Sequence, residues 1–268
     1  MDFPRSTVLA TRFEYLRRAG STNDELVRRV TGPDAADWPD LSVLVTGDQT
    51  GGRGRLGRAW LAPAGKSLAV SALLRPARPA IAAPGNSAIP IESFAWFPLL
   101  AGLAMVRAVD TVVPAGVALK WPNDVLINGL KVCGILSELL PGADGVVVGA
   151  GLNLTLDEQD LPTDTSTSLL LAGVEHPDPD AILAAYLREL RLLYRSYLGS
   201  AGSATSSGLL AAVTERCETV GRPVRVELPT GKRLTGTATA IDAGGRIVVE
   251  SDSGLTAVAA GDVTHLRY

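Results

Sequence analysis

A glycine-rich segment with no helix after it constrains this fold more than any other feature. The segment, here called the glycine–arginine loop, runs from Gly47 to Trp60 as GDQTGGRGRLGRAW. It lies between two apolar patterns, LSVLVT and KSLAVSALL, that predict buried strands. Its G-x-G-x-x-G spacing matches the dinucleotide-binding fingerprint, which needs a helix to begin at the third glycine. Pro63 and Gly65 prevent a helix there. The sequence therefore predicts a strand–loop–strand unit and excludes a Rossmann dinucleotide site.

The composition of this loop suits it to bind anions. It holds five glycines and three arginines. Glycines let backbone N–H groups approach a ligand closely, and guanidinium groups match the geometry of carboxylates and phosphates. The pattern favours a site for one anion, or for two anionic reactants brought together. A disordered loop or an RNA-contacting loop is the alternative, because basic, glycine-rich stretches also occur in nucleic-acid-binding segments.

The overall composition is that of a globular protein with a sizeable core. The 268 residues are 46% hydrophobic and carry a formal net charge of −3, without the overall basic charge of a nucleic-acid-binding protein. We see no apolar run of signal-peptide or membrane-span length, so we expect a cytoplasmic protein with no membrane or nucleic-acid partner. Two cysteines without metal or redox spacing, and only two histidines, argue against zinc sites and histidine triads.

The chain before residue 200 mixes helical and extended patterns. STNDELVRRV predicts a helix capped by Ser21 or Thr22, and FAWFPLLAGLAMVRAVDTV predicts a buried helix. ALKWPNDVLINGLKVCGILSELL predicts a strand, a Trp-Pro-Asn-Asp turn and a hairpin that turns at Asn128–Gly129. DGVVVGAGLNL predicts a further strand. DPDAILAAYLRELRLLYRSYL predicts an amphipathic helix with apolar residues at Ile182, Tyr186, Leu190, Leu193 and Tyr197.

The pattern changes towards the C-terminus. The stretch from Gly199 to Gly208, GSAGSATSSG, predicts a flexible connection. From Gly221 onward, RPVRVEL, RLTGTATAID, RIVVES and LTAVAA predict short strands separated by turns. We therefore expect an α+β chain with a larger domain at residues 1–213 and a small barrel-like β domain at residues 218–268.

Five motifs occur in an order that identifies a family. They are GSTN at Gly20–Asn23, DQTGGRGRLGRAW at Asp48–Trp60, KWPND at Lys120–Asp124, LKVCGILSE at Leu130–Glu138 and GAGLNL at Gly149–Leu154. Together they resemble the catalytic domain of biotin–protein ligases, and the C-terminal strands resemble the SH3-like module of that family. The resemblance implies an α+β fold with a mixed-sheet catalytic domain of the biotin/lipoate–protein ligase type, followed by a small SH3-like β-barrel.

The resemblance also implies a two-step reaction. The carboxylate of biotin attacks the α-phosphate of ATP, which gives biotinyl-5′-adenylate and pyrophosphate. A lysine amine on the biotin carboxyl carrier domain of an acyl-CoA carboxylase then attacks the mixed anhydride and releases AMP. Biotin and ATP are the implied substrates, with Mg²⁺. Because a carboxylate and a triphosphate repel each other, the glycine–arginine loop has a task that suits its composition.

The implied biotin site draws on the first, second and fourth motifs. Hydroxyl and amide groups of the Ser-Thr-Asn triplet match the polar ureido ring, although a plain helix cap is the alternative for that triplet. Lys131 and Arg55 are the implied catalytic residues. The alternative interpretation of Lys131 is an exposed lysine on a strand. The implied biotin contacts are Ser21, Thr22, Asn23, Gln49, Arg53, Gly54, Arg55 and Lys131.

The implied ATP site draws on the loop and on KWPND, although Trp-Pro-Asn-Asp is also compatible with an Asx-type turn. Asp124 is the candidate ligand for Mg²⁺, which prefers oxygen donors. Thr167 and Ser168 are weaker candidates for the adenine pocket. Cys133 is interpreted as a small apolar core residue. The implied ATP or adenylate contacts are Arg55, Arg58, Lys120, Asn123, Asp124 and Asn153.

Two other functions stay open at this point. Lipoate or octanoate ligases share the fold and the chemistry, although the loop together with KWPND favours biotin. A non-catalytic module that binds RNA or protein is the alternative from another class. Some members of the family carry an N-terminal helix-turn-helix domain and repress transcription. The 20 residues before Ser21 are too few for such a domain, so we expect the form without DNA binding.

Overall fold

Two β-sheets with helices packed around the larger one make up the fold. The computed structural model describes residues 1–60, 62–76 and 89–266. The helices are α1 (Pro4–Thr7), α2 (Thr22–Thr31), α3 (Phe97–Val109), α4 (Pro179–Gly199) and α5 (Leu209–Arg216). The strands are β1 (Arg12–Leu16), β2 (Ser42–Thr46), β3 (Gly52–Arg53), β4 (Ala59–Trp60), β5 (Ser67–Leu74), β6 (Val117–Lys120), β7 (Asp124–Ile127), β8 (Leu130–Leu139), β9 (Val146–Asn153), β10 (Pro223–Glu227), β11 (Arg233–Ile241), β12 (Ile247–Ser251), β13 (Gly254–Val258) and β14 (Asp262–His265).

The larger sheet has seven strands in the order β1-β2-β5-β9-β8-β7-β6. β1 and β2 are parallel and the remaining neighbours are antiparallel, so the sheet is mixed. Val43 and Val45 of β2 pack into the core around α3 and α4, while Leu44 packs on the opposite face with α2. Side chains alternate between the two faces of a strand, so both faces are covered. The predicted α+β fold with a mixed sheet is confirmed.

The apolar helix predicted from the sequence is α3, and it lies in the core. All of α3 except Pro98 and Arg107 is buried, and the helix packs against α4 and the sheet. The segment Ile91–Val109 is long and apolar enough to cross a membrane by length and composition, the one such helix in the described part of the chain. We expected no helix of that length and composition from the sequence. Burial against α4 and the sheet explains the apolar composition of this helix.

The predicted amphipathic helix and hairpin are also confirmed. Of the five apolar positions expected on α4, Leu193 is partly buried and the other four are fully buried. Asn128 and Gly129 have φ angles of 50° and 81° and join β7 to β8. Two successive positive φ angles are typical of the type I′ turn, which Asn-Gly favours.

The C-terminal strands form a five-stranded antiparallel sheet in the order β13-β12-β11-β10-β14. The expected all-β fold of the C-terminal region is therefore confirmed, with β14 as a strand that the patterns did not predict. This sheet is bound to the larger one through Trp121. The indole Nε1 donates to the carbonyl of Gly245 at 2.9 Å, and the backbone N–H of Trp121 donates to the hydroxyl of Thr219 at 3.0 Å. Buried residues of both sheets belong to one apolar cluster.

The stretch predicted to be flexible, Gly199–Gly208, differs from the expectation. It forms consecutive hydrogen-bonded turns, and Ala204 is only 3% exposed. The hydroxyl of Ser203 accepts a hydrogen bond from the backbone N–H of Ser206 at 3.2 Å. Serine side chains satisfy turn backbone in this way, and the buried alanine fixes the segment against the core. Low sequence complexity was therefore a poor guide to order here.

Candidate active site

A cavity of about 490 Å³ lies where the N-terminus of α2, the strands β5, β8 and β9, the glycine–arginine loop and β14 meet. It is large enough for a small organic ligand. Most of the residues implied by the family resemblance contribute to its wall. These are Ser21, Thr22, Asn23, Gln49, Arg53, Gly54, Arg55, Arg58, Lys120, Asn123, Asp124 and Lys131.

The start of α2 forms one end of the cavity. The hydroxyl of Ser21 accepts a hydrogen bond from the backbone N–H of Asp24 at 3.3 Å, which makes it the N-cap. Thr22 donates from its backbone N–H and from its hydroxyl to Oε1 of Gln49, at 2.9 and 3.2 Å. The segment is thus a helix cap and a polar cavity wall at the same time, so the two interpretations of this triplet are compatible.

A buried polar network continues from Thr22 across the cavity floor. The hydroxyl of Ser71 on β5 donates to Oδ1 of Asn23 at 2.6 Å and lies 2.8 Å from the hydroxyl of Thr22. The amide nitrogen of Asn23 donates to Glu138 at 2.7 Å and to the carbonyl of Leu136 at 3.2 Å. Neither Ser71 nor Glu138 was predicted from the sequence to have a role. Glu138 ends one of the five motifs, which is the signal that could have found it.

The glycine–arginine loop closes over the cavity as the hairpin of β3 and β4. The backbone N–H of Gly54 donates to the carbonyl of Arg58 at 2.6 Å. Gly52 has no room for a side chain, because a Cβ atom there would lie 2.3 Å from Nε2 of Gln49 and 2.3 Å from the carbonyl oxygen of Trp60. This glycine therefore allows the close approach of the loop to Gln49.

Two loop arginines are held by different parts of the wall. The guanidinium of Arg53 contacts Asp24 and donates to Glu138 at 2.9 Å. The guanidinium of Arg55 donates to Oδ1 of Asn123 at 3.2 Å. Burial lowers the pKa of Arg55, and nearby aspartates oppose that shift. An arginine keeps its charge even so, and a partly buried cation attracts an anion more strongly than an exposed one.

Lys131 and Trp60 lie side by side in the cavity wall. The ammonium of Lys131 is 2.6 Å from Oδ1 of Asp124 and 5.7 Å from the centroid of the Trp60 ring, within cation–π range. A Cβ atom on Gly151 would lie 2.5 Å from that ring, so the glycine in β9 makes room for the indole. Lys131 is therefore not a free surface lysine, and Trp60 is part of the cavity wall.

The C-terminal sheet contributes a wall of the cavity that was not predicted from the sequence. Arg58 of the loop pairs with Asp262 at the start of β14, and this hydrogen bond raises the pKa of Arg58. Thr264 and His265 follow on the same strand, and Glu218 and Arg222 lie on the segment that leads into β10. Nothing in the local strand pattern indicates which distant cavity a strand will face.

Three weaker candidates for the nucleotide side do not line the cavity. The amide of Asn153 donates to the carbonyl of Thr167 at 2.8 Å, and Asn153 is buried. The hydroxyl of Ser168 donates to the carbonyl of Leu156 at 2.6 Å. These side chains stabilise the segment after β9 rather than face the cavity, so the geometry does not support their predicted contacts with the nucleotide. The neighbouring residues that do line it are Pro162, Thr163, Thr165 and Ser166.

The acidic groups of the site fit a metal ion that comes with phosphate. In the described ranges no group of three histidine, cysteine, aspartate or glutamate side chains could hold a metal by itself. Asp124 is one of the carboxylates in the wall, and Mg²⁺ is commonly held by one or two carboxylates together with substrate phosphates. Cys133 is fully buried, and burial raises its pKa, as expected for a core thiol.

Comparisons with known proteins identify the family. Residues 17–153 match the model of the biotin/lipoate A/B protein ligase family, and residues 219–266 match the biotin protein ligase C-terminal domain. The chain is 37% identical to the biotin–[acetyl-CoA-carboxylase] ligase of Mycobacterium tuberculosis over 95% of its own length and 89% of that protein. The chain belongs to the biotin/lipoate A/B protein ligase family. The implied family is therefore confirmed.

Other family members share parts of the chain or its fold. The bifunctional ligase/repressor BirA of Bacillus subtilis is 32% identical over 60% of this chain and 48% of its own length. The biotin protein ligase of Aquifex aeolicus in complex with biotin and ATP superposes with a TM-score of 0.74 at 23% identity, covering 96% of this chain and all of that one. The ligase of Leishmania major with biotinyl-5-AMP gives a TM-score of 0.60 at 22% identity, over 93% of this chain and 99% of that one. At these identities the two structures support the fold.

Proposed function

We propose that this chain is an ATP-dependent biotin–protein ligase, which activates biotin as biotinyl-5′-adenylate and transfers it to a lysine of a carrier domain. One observation carries the proposal. A single cavity joins a polar end, built by the start of α2 and Gln49, to a cationic end that contains Arg55 and Lys131. Such a cavity suits a ligand with a neutral, hydrogen-bonding head and a carboxylate tail that must meet a phosphate.

We assign the ureido ring of biotin to the polar end. That ring offers one carbonyl acceptor and two N–H donors. Ser21, Thr22, Asn23 and Gln49 supply hydroxyl and amide groups of both kinds. Their mutual hydrogen bonds hold these groups in place before the ligand arrives, which reduces the entropy that binding costs. Arg53 and Gly54 cover this end from the loop.

We assign the chemical step to the cationic end. An oxygen of the biotin carboxylate forms a bond to the α-phosphorus of ATP while the bond from that phosphorus to pyrophosphate breaks. Lys131 stabilises the carboxylate end and the developing charge, and Arg55 binds the acyl phosphate. Both cations lie in a partly buried wall, where they act more strongly than in water.

The remaining wall residues receive the nucleotide in this assignment. Arg58, Lys120 and Asn123 bind phosphate or adenylate. To bind phosphate, the guanidinium of Arg58 leaves its contact with Asp262. Asp124 would hold Mg²⁺, which neutralises charge on the phosphates when bound. Because Asp124 also contacts Lys131, it sets the position of that ammonium. We assign no nucleotide contact to Asn153, because its side chain binds Thr167 and does not line the cavity.

The second step needs a protein partner, for which we propose the biotin carboxyl carrier domain of an acyl-CoA carboxylase. The Mycobacterium tuberculosis relative is a biotin–[acetyl-CoA-carboxylase] ligase, which supports this choice. The amine nitrogen of the carrier lysine bonds to the acyl carbon, the bond from that carbon to the phosphate oxygen breaks, and AMP and a proton leave. We place the reaction in the cytoplasm, and the catalytic and C-terminal domains at residues 1–213 and 218–268.

Pyrophosphate exchange tests the proposal and its alternatives. Labelled pyrophosphate enters ATP only if an acid is adenylated reversibly, so the acid that supports exchange is the substrate. We expect exchange with biotin and Mg²⁺, and none with lipoate or octanoate. Exchange with lipoate instead would keep the fold and replace the substrate. No exchange with any of these acids, from protein shown to be folded, would contradict an enzyme of this class and favour a binding module.

A further inference from the structure

The side chain of Glu138, at the end of the LKVCGILSE motif, contacts one side chain at the start of α2 and another in the glycine–arginine loop. One carboxylate oxygen accepts from the amide of Asn23 at 2.7 Å, and the other accepts from the guanidinium of Arg53 at 2.9 Å. Asn23 belongs to the start of α2, whereas Arg53 belongs to the glycine–arginine loop. Each contact is a hydrogen bond to a charged acceptor, the stronger kind in proteins.

The amide that Glu138 holds is fixed in orientation by its other neighbours. The oxygen of the Asn23 side chain accepts from Ser71, and its nitrogen also donates to the carbonyl of Leu136. A Cβ atom on Gly149 would lie 2.3 Å from that oxygen, so the amide packs directly on β9. Ser71 in turn lies against Thr22, which donates to Gln49. The orientation of one amide therefore affects the whole polar end of the cavity.

Asp24 also contacts Arg53, but it differs from Glu138 in two ways. The side chain of Asp24 is 56% exposed, whereas that of Glu138 is 28% exposed. An exposed ion pair is screened by solvent and contributes little. Asp24 hydrogen-bonds through its backbone to the cap of α2, whereas Glu138 joins Arg53 of the loop to the side-chain amide of Asn23.

We propose that Glu138 is a positioning residue that couples closure of the glycine–arginine loop to the orientation of Asn23 at the ligand. The proposal rests on the proposed function for its kinetic consequence. When the loop closes, Arg53 binds the carboxylate whose other oxygen holds the amide of Asn23. Binding of the neutral head of biotin and closure of the loop therefore favour each other. Glu138 acts through these two residues and does not touch the reacting atoms.

The test compares E138Q with the matched control E25Q. Glutamine keeps the shape of the side chain but replaces the charged acceptor with an amide, whose N–H₂ group must face a donor. Glu25 also pairs with arginines, Arg28 and Arg29, but on the outer part of α2. In biotin-dependent pyrophosphate exchange we expect E138Q to raise the KM for biotin about tenfold, as for loss of one hydrogen bond to a charged group. We expect kcat at saturating biotin to change less than about twofold, and E25Q to match the parent chain.

A second measurement does not depend on activity. Trypsin cleaves after arginine, and the loop offers three such sites, so the rate of cleavage between Gly47 and Trp60 reports how tightly the loop is held. We expect E138Q without ligand to be cleaved several-fold faster than E25Q, with an unchanged melting temperature.

The outcomes separate the two proposals. An unchanged KM for biotin in E138Q would overturn the coupling, and so would a fall in kcat together with a lower melting temperature, which indicates a merely structural role. If the parent chain shows no exchange with biotin, the proposed function fails. The cleavage rates then decide the loop contact alone, and equal rates in E138Q and E25Q would reject it.

Discussion

At the scale of single residues, Lys131 gives the sharpest test of the assigned chemistry. Its ammonium is fixed between Asp124 and the Trp60 ring, so it is already in place when charge develops on the carboxylate and phosphate. We expect Lys131→Ala to lower kcat for pyrophosphate exchange by about 10²-fold or more, the loss typical of removing one preorganised electrostatic group. Arg55→Gly should give a loss of the same order. Near-parental exchange in either variant would remove that residue from the mechanism.

Gly52 gives a second prediction at this scale, which depends on the lack of room for a side chain and not on charge. A methyl group at Gly52 meets the Gln49 amide and the carbonyl of Trp60 at 2.3 Å, and backbone must move to admit it. We expect Gly52→Ala to open the β3–β4 hairpin and to raise the KM for biotin at least about tenfold, since the wall loses its fit.

Gly199→Ala serves as the control for this substitution. Gly199 ends α4, and nothing lies within 4 Å of a Cβ atom placed there. We expect parental kinetics from this variant, and slightly higher stability because alanine favours a helix. Equal KM values for the two alanine variants, measured in the same exchange assay, would show that the loop does not need its close approach to Gln49.

At the scale of elements, the contact between the glycine–arginine loop and β14 predicts a change in loop dynamics. Arg58 is held by Asp262, but the side chain of Arg58 is 64% exposed, so the contribution of the pair to the free energy of unfolding is below about 1 kcal/mol. We expect Asp262→Ala to leave the melting temperature nearly unchanged. Amide hydrogen exchange in peptides that cover the loop should rise several-fold, since local opening needs fewer contacts to break.

Asp252→Ala provides a comparison on the same sheet, because Asp252 is exposed in the turn between β12 and β13. In the Asp252→Ala variant, amide hydrogen exchange in the peptides that cover the glycine–arginine loop should equal that of the parent chain. If Asp262→Ala also leaves loop exchange unchanged, β14 is a passive wall and does not restrain the loop.

Elements were also the level at which the sequence was most informative. The buried strand patterns, the Asn128–Gly129 turn and the stripe on α4 depend on local chemistry and were all predicted. Most of the motif residues lie at one cavity, and they could be expected together because the resemblance assigns their roles as a set; Asn153 does not line it. Ser71, Glu138 and the wall from β14 were missed, since their partners lie far away in sequence and only the packed fold brings them together. The segment Gly199–Gly208 was predicted to be flexible from its composition alone. Composition does not show that Ala204 packs against the core.

At the scale of the whole molecule, the two sheets are joined by hydrogen bonds and by one apolar core. Trp96 and Trp121 of the larger unit each donate an indole hydrogen bond to the turn between β11 and β12, at Ala243 and Gly245. Val249 and Ile247 of β12 belong to the same apolar cluster as α3 and α4. A domain of about fifty residues is near the lower limit for independent folding. The C-terminal domain is therefore stabilised by the catalytic domain and completes its cavity in return.

This shared core predicts a single unfolding transition, and the tryptophans make it measurable. The four tryptophans, at positions 38, 60, 96 and 121, all lie before the C-terminal sheet. Trp38 packs in the apolar cluster with α2, so its fluorescence, measured with phenylalanine at positions 60, 96 and 121, follows the larger unit. Val249 is fully buried in β12, and we expect Val249→Ala to lower the free energy of unfolding by about 2 kcal/mol. If the molecule unfolds as one, this substitution shifts the urea midpoint of the fluorescence and of the circular dichroism by the same amount, with the slope unchanged. Thr256→Ala, at an exposed position of β13, should shift neither. A fluorescence midpoint that stays fixed while the circular dichroism splits into two steps would mean that the two units unfold independently, and that the cavity wall from β14 can be lost while the catalytic domain stays folded.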